Sequence, residues 1–279
     1  MTTLPTSFAI LNGDLLPAGQ AGFPIASQSL VDAFGIYETI LVERGRFFHL
    51  ARHMQRLAQS AQLLAMDLPA PIDEITGWVR RLAATMQTEC GLLRVVAYGG
   101  DGVHGAVCGL YVKPCPQHKP AMHQQGVAVV TSEGERFRPL AKSNNCLAQA
   151  MARFKAHAAG AHEGLIVDRY GHITEGATSN VLAVRGGALL RPLHGTALEG
   201  ITEGVTLELA AELGIPVQFV TLPLAEVATW DEAFLTSTNR RVMPIRCVDD
   251  VALPASPGPV TSRLMTAFRA YEAAQGWED

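Results

Sequence analysis

The chain has 279 residues, more than one small core needs, and 48% of them are apolar against 17% charged, which puts it among globular proteins and outside disordered or fibrous ones. The net charge is -4 at pH 7, with no basic block and no interleaving of aromatic and basic residues, so nucleic acid and membrane surfaces are poor partners and small-molecule chemistry is the better default. Cys90, Cys108, Cys115, Cys146 and Cys247 are scattered, without a C-x-x-C pair or zinc spacing, and read as reduced thiols with no metal site.

The N-terminal MTTLPTSFAILNGDLLPAGQ lacks a charged segment followed by a long apolar run, and no later stretch is long enough to span a bilayer; a cytoplasmic location is expected. Phe8 to Asn12 reads as a strand, Asn12-Gly13-Asp14 as a hairpin turn and Leu15-Leu16 as the start of its partner. In the next strand Ile36, Ile40 and Val42 set the apolar side, with Glu38, Thr39 and Glu43 as polar alternates, and Arg44-Gly45-Arg46 makes a second turn. His49 to Met66 is a helix with Leu50, Met54, Leu57, Ala61 and Leu64 on one face and Arg56 off that stripe. Asp73 to Thr88 is a second helix. LLRVVAYGG and CGLYVKP are strands around a glycine-rich turn.

Three prolines between Pro114 and Pro120 can continue neither a helix nor a central strand. A domain boundary is expected there, giving a small N-terminal domain at 1–116, a linker at 117–122 and a larger domain at 123–279. Beyond it, GVAVVTS is a strand, and Ser143 to Ala159 a helix with Leu147, Ala150, Met151, Phe154 and Ala158 inward and Gly160 as its stop. Short strands follow at 164–168, 173–175, 180–184 and 188–191, with a turn at Arg185-Gly186-Gly187. A helix is expected at 201–213, strands at 217–220 and 233–236, and a closing helix at 261–274. Without strict βαβ alternation the fold class is α+β, in two lobes with mixed sheets.

Gly100-Asp101-Gly102-Val103-His104-Gly105 fits G-x-G-x-x-G, but a strand follows it where a dinucleotide site needs a helix N-terminus to hold the pyrophosphate. It reads as a hairpin turn. Lys142 keeps more informative company. Schiff-base chemistry needs a lysine, an anion site for a phosphate and an acid to hold a pyridine nitrogen protonated. Glu175, between Thr174 and Gly176, can supply the acid. Gly200-Ile201-Thr202 opens a helix whose unpaired N–H groups suit a phosphate; Ser237-Thr238 adds donors, and Arg56 a charged fork. Taken singly, each is equally an ordinary surface lysine, strand-end glutamate, cap or turn.

Six ordered pieces now resemble one family, the class IV pyridoxal-phosphate aminotransferases of fold type IV, closest in motifs to D-amino-acid aminotransferase-like members. They are Phe34-Gly35-Ile36-Tyr37-Glu38-Thr39, the His53-x-x-Arg56-Leu57 helix, Lys142-Ser143-Asn144, Thr174-Glu175-Gly176 with Ser179-Asn180, Leu198-Glu199-Gly200-Ile201-Thr202, and Thr236-Ser237-Thr238 before Pro244. The resemblance implies a two-domain fold type IV enzyme binding pyridoxal 5'-phosphate. Lys142 would form the Schiff base and Glu175 pair with the pyridine nitrogen. Arg56, Gly200, Ile201, Thr202, Ser237 and Thr238 would hold the phosphate, and Leu198 would pack on the ring. It also implies a homodimer. Tyr37, Arg94, Tyr98, His104 and Thr178 are the substrate-side candidates, set against bland readings as a strand arginine, a core-edge tyrosine and a turn histidine. Two departures stand out: Ala33-Phe34-Gly35 replaces a frequent Gly-Asp-Gly, and Glu203 takes the place of an arginine.

The activity implied is ping-pong transfer of an amino group to a 2-oxo acid from an amino acid, D-amino acids included, or from an amine. The alternative is aminodeoxychorismate lyase, which eliminates pyruvate with the same lysine and cofactor; Tyr37-Glu38 and Thr236-Ser237-Thr238 lean toward the aminotransferases. A non-catalytic cofactor-binding protein is the third reading.

Overall fold

Glycine turns organise the strands of this computed structural model, which describes residues 8–279. Asn12 and Gly13 both take positive φ, 47° and 89°, as a tight two-residue hairpin requires, and join β1 (Phe8–Leu11) to β2 (Asp14–Pro17). A one-turn helix α1 (Gln28–Val31) precedes β3 (Gly35–Glu43). Arg44 and Gly45, with φ 50° and 80°, repeat the hairpin into β4 (Arg46–Phe48). Then come α2 (Leu50–Leu63), α3 (Ile72–Met86), β5 (Cys90–Tyr98) and β6 (Val107–Pro114).

The chain divides into two compact units. The first runs to Pro116 and takes in Ala141–Asn145 and Gly276–Asp279. Its sheet has the order Trp277–Glu278, β4, β3, β5, β6, β1, β2, antiparallel throughout. Ile36, Ile40, Leu93 and Val95 on the sheet meet Leu50, Met54 and Leu57 of α2 and Ile75, Val79 and Leu82 of α3 in one core. The Gly100–Gly105 run is the loop of the β5–β6 hairpin, as its sequence context indicates.

The second unit comprises Gln117–Leu140 and Cys146–Gln275. The expected linker at 117–122 is only partly extended, because Pro120 opens α4 (Pro120–Gln125); proline is tolerated in a first helical turn, where its missing N–H would have no partner anyway. There follow β7 (Val127–Glu133), α5 (Leu147–Ala158), β8 (Glu163–Val167), β9 (Ile173–Gly176), β10 (Asn180–Arg185), β11 (Ala188–Pro192), α6 (Ile201–Glu212), β12 (Val217–Val220), β13 (Glu232–Ser237), β14 (Arg241–Val248), β15 (Val251–Ala252) and α7 (Pro259–Ala274). The main sheet runs β12, β11, β10, β13, β14, β7, β8, β9. The β11–β12, β14–β7 and β7–β8 pairs are parallel and the others antiparallel, so the sheet is mixed.

Two expectations fail in α5. The helix begins at Leu147, not Ser143, because Ser143 bridges to Ile36 and the Asn144 N–H donates to Gly35 O, both on β3. Its inward face is also not the large apolar one. Gln149, Ala152 and Ala156 are buried, while Leu147, Met151 and Phe154 are 72%, 56% and 71% exposed. The reason at Ala152 is the closeness of α5 to β8: a Cβ on Gly164 would lie 2.4 Å from the Ala152 carbonyl oxygen, so only a small side chain fits there.

Candidate active site

In the first unit the site is built on β3. Side chains alternate along a strand, so Glu38 shares the face of Ile36 and Ile40 and points toward α2. It is fully buried, on the side of Ile36 and Ile40, with which it was expected to alternate. Arg56 and His53, one turn apart on α2, compensate it. Arg56 donates from Nε to Oε1 at 2.7 Å and from Nη2 to Oε2 at 2.8 Å, and His53 Nδ1 lies 2.7 Å from Oε2. Burial alone would raise the Glu38 pKa, but Arg56 and His53 together outweigh it and hold the carboxyl well below the usual range. Burial lowers the pKa of His53, so the neutral ring donates its Nδ1–H to the carboxylate. Two donors of Arg56 thus serve Glu38.

The opposite face of β3 carries Tyr37 and Thr39. Across the β3–β5 ladder Arg94 pairs with Thr39 and Tyr98 with Gly35. Arg94 donates from Nη1 to Thr39 Oγ1 at 2.8 Å and lies 4.3 Å from the centre of the Tyr37 ring. The Lys142 amine lies 4.6 Å from the same centre. Tyr98 makes an edge contact with Phe23. His104 is turned into its own loop, where Asp101 accepts its backbone N–H at 2.6 Å and lies 3.1 Å from its Nδ1.

The backbone of Lys142 is fixed on both sides. Its N–H donates to Ser60 Oγ at 3.0 Å, and its carbonyl accepts from the Tyr37 N–H at 3.0 Å. Asn144 N–H donates to Gly35 O at 2.8 Å, and Ser143 bridges to Ile36. This approach requires glycine at 35: a Cβ there would stand 2.6 Å from Asn144 Nδ2 and 2.5 Å from Ala97 O. Ser60, fully buried on the same helix as His53 and Arg56, was not foreseen; the spacing 53, 56, 60 marks one helical face.

In the second unit Glu175 is the last residue but one of β9 and is 3% exposed. Oε1 accepts from Arg136 Nε at 2.9 Å and from Gln149 Nε2 at 3.0 Å; Oε2 accepts from the Leu198 N–H at 3.3 Å. Sequence reasoning missed Arg136 and Gln149. Neither stands beside Glu175 in the chain, and Gln149 is flanked by Ala148 and Ala150. Asn180 Nδ2 donates to Leu198 O at 2.6 Å, so Leu198 is clamped at both its N–H and its carbonyl. Gly200 caps α6, and its N–H donates to Glu203 at 3.3 Å; a Cβ on Gly200 would collide with Asn180 Oδ1 at 2.0 Å. Ile201 and Thr202 follow as the first residues of α6, whose N–H groups have no acceptor within the helix. Glu203, in the place of an arginine, forms a buried pair with Arg191 at 3.1 Å.

Ser237 ends β13 and Thr238 follows it, and Thr238 O accepts from Arg241 Nη1 at 3.0 Å. Arg240, which was not singled out, donates to Thr178 Oγ1 at 2.8 Å and to His162 Nε2 at 3.0 Å, and pairs with Glu163 at 3.2 Å. Thr178 in turn donates to Glu163 at 2.6 Å. His118 is linked to Asn239 Nδ2 at 3.1 Å, and His123 donates to the Arg240 carbonyl at 3.2 Å. Burial, with the charge of Arg240 second, lowers both His118 and His162 to about 4.

These features lie within residues 35–248, the stretch matched by the family model described as amino-transferase class IV. The chain belongs to this family. A class IV relative, the branched-chain-amino-acid aminotransferase of Pseudomonas aeruginosa, is 30% identical over 277 residues, covering 92% of this chain and 90% of its own. The D-alanine aminotransferase of Bacillus licheniformis is 29% identical over 270 residues, covering 93% and 95%. Among solved structures, the T.th. branched-chain amino acid aminotransferase complexed with N-(5'-phosphopyridoxyl)-L-glutamate is similar with a TM-score of 0.88 at 25% identity, covering 98% of each chain. The mixed α+β architecture is that of the fold type IV aminotransferases. Among the described residues no helix is long and apolar enough to cross a membrane, and no group of three His, Cys, Asp or Glu is arranged to hold a metal ion.

Proposed function

We propose that this class IV aminotransferase uses pyridoxal 5'-phosphate to move an amino group from an amino acid or amine to a 2-oxo acid in two half-reactions, with Lys142 as its catalytic residue. The observation that carries the reading is the donor set around Glu175. An ionised carboxylate offers about four lone-pair sites; Arg136, Gln149 and the Leu198 N–H use three. The remaining site suits a protonated ring nitrogen. A helix N-terminus at Gly200-Ile201-Thr202, with Ser237 and Thr238, suits the phosphate. Arg56, whose Nε and Nη2 serve Glu38, is the charged candidate for a phosphate contact.

Bound, the cofactor supplies an electron sink for the pair released when the substrate's α C–H bond breaks. Glu175 keeps the ring nitrogen protonated, and each pKa unit it adds there is worth about 1.4 kcal/mol. Lys142 Nζ would hold the cofactor, give way to the incoming amine, and as general base and acid carry the proton between the substrate's α-carbon and the cofactor's C4′ carbon. Its anchored backbone keeps the short path of that proton constant. Leu198, held at both its N–H and its carbonyl, would pack on the ring. Tyr37 and Arg94 present a ring and a cation on the face that carries Lys142 Nζ and are the better supported substrate contacts. The buried Glu38 pair supports the transaminase over the lyase, whose members tend to carry a hydroxyl residue there. The reading takes the working form to be a cytoplasmic homodimer.

Lys142→Ala tests it. Borohydride reduction of the wild type with cofactor should add the pyridoxyl mass to the peptide containing Lys142, and the variant should lose both the label and turnover of D- and L-amino acids and amines with a 2-oxo acid. Wild-type turnover by Lys142→Ala would refute the assignment. The donor that most rapidly bleaches the bound cofactor's absorbance identifies the handedness of the substrate.

A further inference from the structure

The donors on Glu175 are unevenly divided. Oε1 accepts from Arg136 Nε and Gln149 Nε2, at 2.9 and 3.0 Å, while Oε2 accepts from the Leu198 N–H alone, at 3.3 Å. Each carboxylate oxygen has two lone-pair directions, so Oε1 is filled and Oε2 keeps one open. We infer that Gln149 is a positioning residue: with Arg136 it fills Oε1 and so makes Oε2 the atom that holds the proton-bearing ring nitrogen. This rests on the reading above of Glu175 as that nitrogen's partner.

The orientation of Gln149 is what singles it out. The side chain is 2% exposed, and its own Oε1 is buried without a hydrogen-bond partner, a state that is destabilising in itself. Turned over, the amide would set one acceptor against another at Glu175 with no proton between them. The carboxylate therefore dictates which way the amide faces, and the orphaned oxygen is the consequence. Gln149 lies in the first turn of α5, on the face that Ala152 and Ala156 share. The close seating of that face brings a side chain of this length to Glu175, on β9, next to β8 in the sheet.

Two variants of the full-length holoenzyme test this. Gln149→Met keeps the length and removes both the donor and the orphaned acceptor, so a packing role predicts an unimpaired protein. The positioning role predicts that kcat falls and the cofactor dissociation constant rises by about tenfold or more, the equivalent of one hydrogen bond to a charged group. KM for the amino donor should stay within about twofold and the melting temperature of the cofactor-free protein should not fall. Gln149→Glu keeps size and shape but donates only while its new carboxyl is protonated. Its kcat should decline with rising pH along a limb absent from both wild type and Gln149→Met. A Gln149→Met enzyme with wild-type kcat and cofactor affinity overturns the inference, as does a Gln149→Glu enzyme with the wild-type pH profile. Should Gln149→Met lower the melting temperature, the pH limb of Gln149→Glu decides. A wild-type chain that fails to attach the cofactor at Lys142 overturns the functional reading and this inference together; a wild-type chain that attaches it beside an unaffected Gln149→Met overturns this inference alone.

Discussion

Glu38 carries a negative charge into the apolar core of the first unit, where Arg56 and His53 answer it at 2.7–2.8 Å. Removing one member of such a group costs far more than the group contributes, because the other charges stay buried without compensation. Glu38→Gln should therefore lower stability by about 3–5 kcal/mol, read as a fall in the urea midpoint with an unchanged slope. A loss below about 1 kcal/mol would mean that Arg56 finds water instead. Glu38 also shows what a sequence conceals about a single residue. Its parity along β3 with Ile36 and Ile40 marks the core face, but a charged side chain argues for the solvent side until its partners on α2 are known. Lys142 and Glu175 were recognisable as candidates because the residues around each, Ser143-Asn144 and Gly176-Ala177-Thr178-Ser179, are their immediate neighbours in the chain. Arg136 and Gln149 were not, since each matters only through an oxygen of Glu175 reached across the fold.

At α5 the rule that large apolar side chains face inward fails, and the failure has a measurable consequence. Ala152 is fully buried against Gly164, so Ala152→Leu should cost about 1–3 kcal/mol through overpacking. Phe154 is 71% exposed, so Phe154→Gln should change the stability of the isolated chain by no more than about 0.5 kcal/mol. Thermal melts of the two variants check the pair, and the reverse ranking would restore the face read from hydrophobic spacing. Other elements were plainer. Asn12-Gly13, Arg44-Gly45 and Gly186-Gly187 all take positive φ, and glycine or asparagine at a turn announces that need locally. The strand β14 was not anticipated; it contains Pro244, which has no N–H to give to a ladder. Pro244 stands just ahead of Ile245, where pairing with β7 begins, and pairs with Phe234 of β13.

For the molecule as a whole, His118 and His162 impose a pH dependence. Held to about 4 against an ordinary 6.5, each is protonated in the unfolded chain at pH values where it is still neutral in the folded one. Unfolding therefore takes up protons between pH 6.5 and 4, and stability falls as pH falls through that window. The groups facing the pair are Arg240, Arg241 and His123, with Glu163 bound to Arg240. Glu38 extends the loss below its ordinary 4.5, since its folded carboxyl resists protonation. A melting-temperature series from about pH 7 to about pH 4 should slope downward, and His162→Gln should flatten its upper part; an unchanged slope in that variant would locate the effect elsewhere.

The first unit takes Ala141–Asn145 from the middle of the second unit's sequence. Ser60, Tyr37 and Gly35, which fix the Lys142 segment, all precede the proline-rich stretch, whereas the lysine follows it. That stretch invites the protein engineer as a junction for chimaeras between relatives. A crossover at Pro116 would nevertheless inherit the lysine from one parent and its mooring from the other. Compatible parents must then match along Ala141–Asn145, beyond the seam, and the interchangeable cassette in this architecture is not a continuous length of gene.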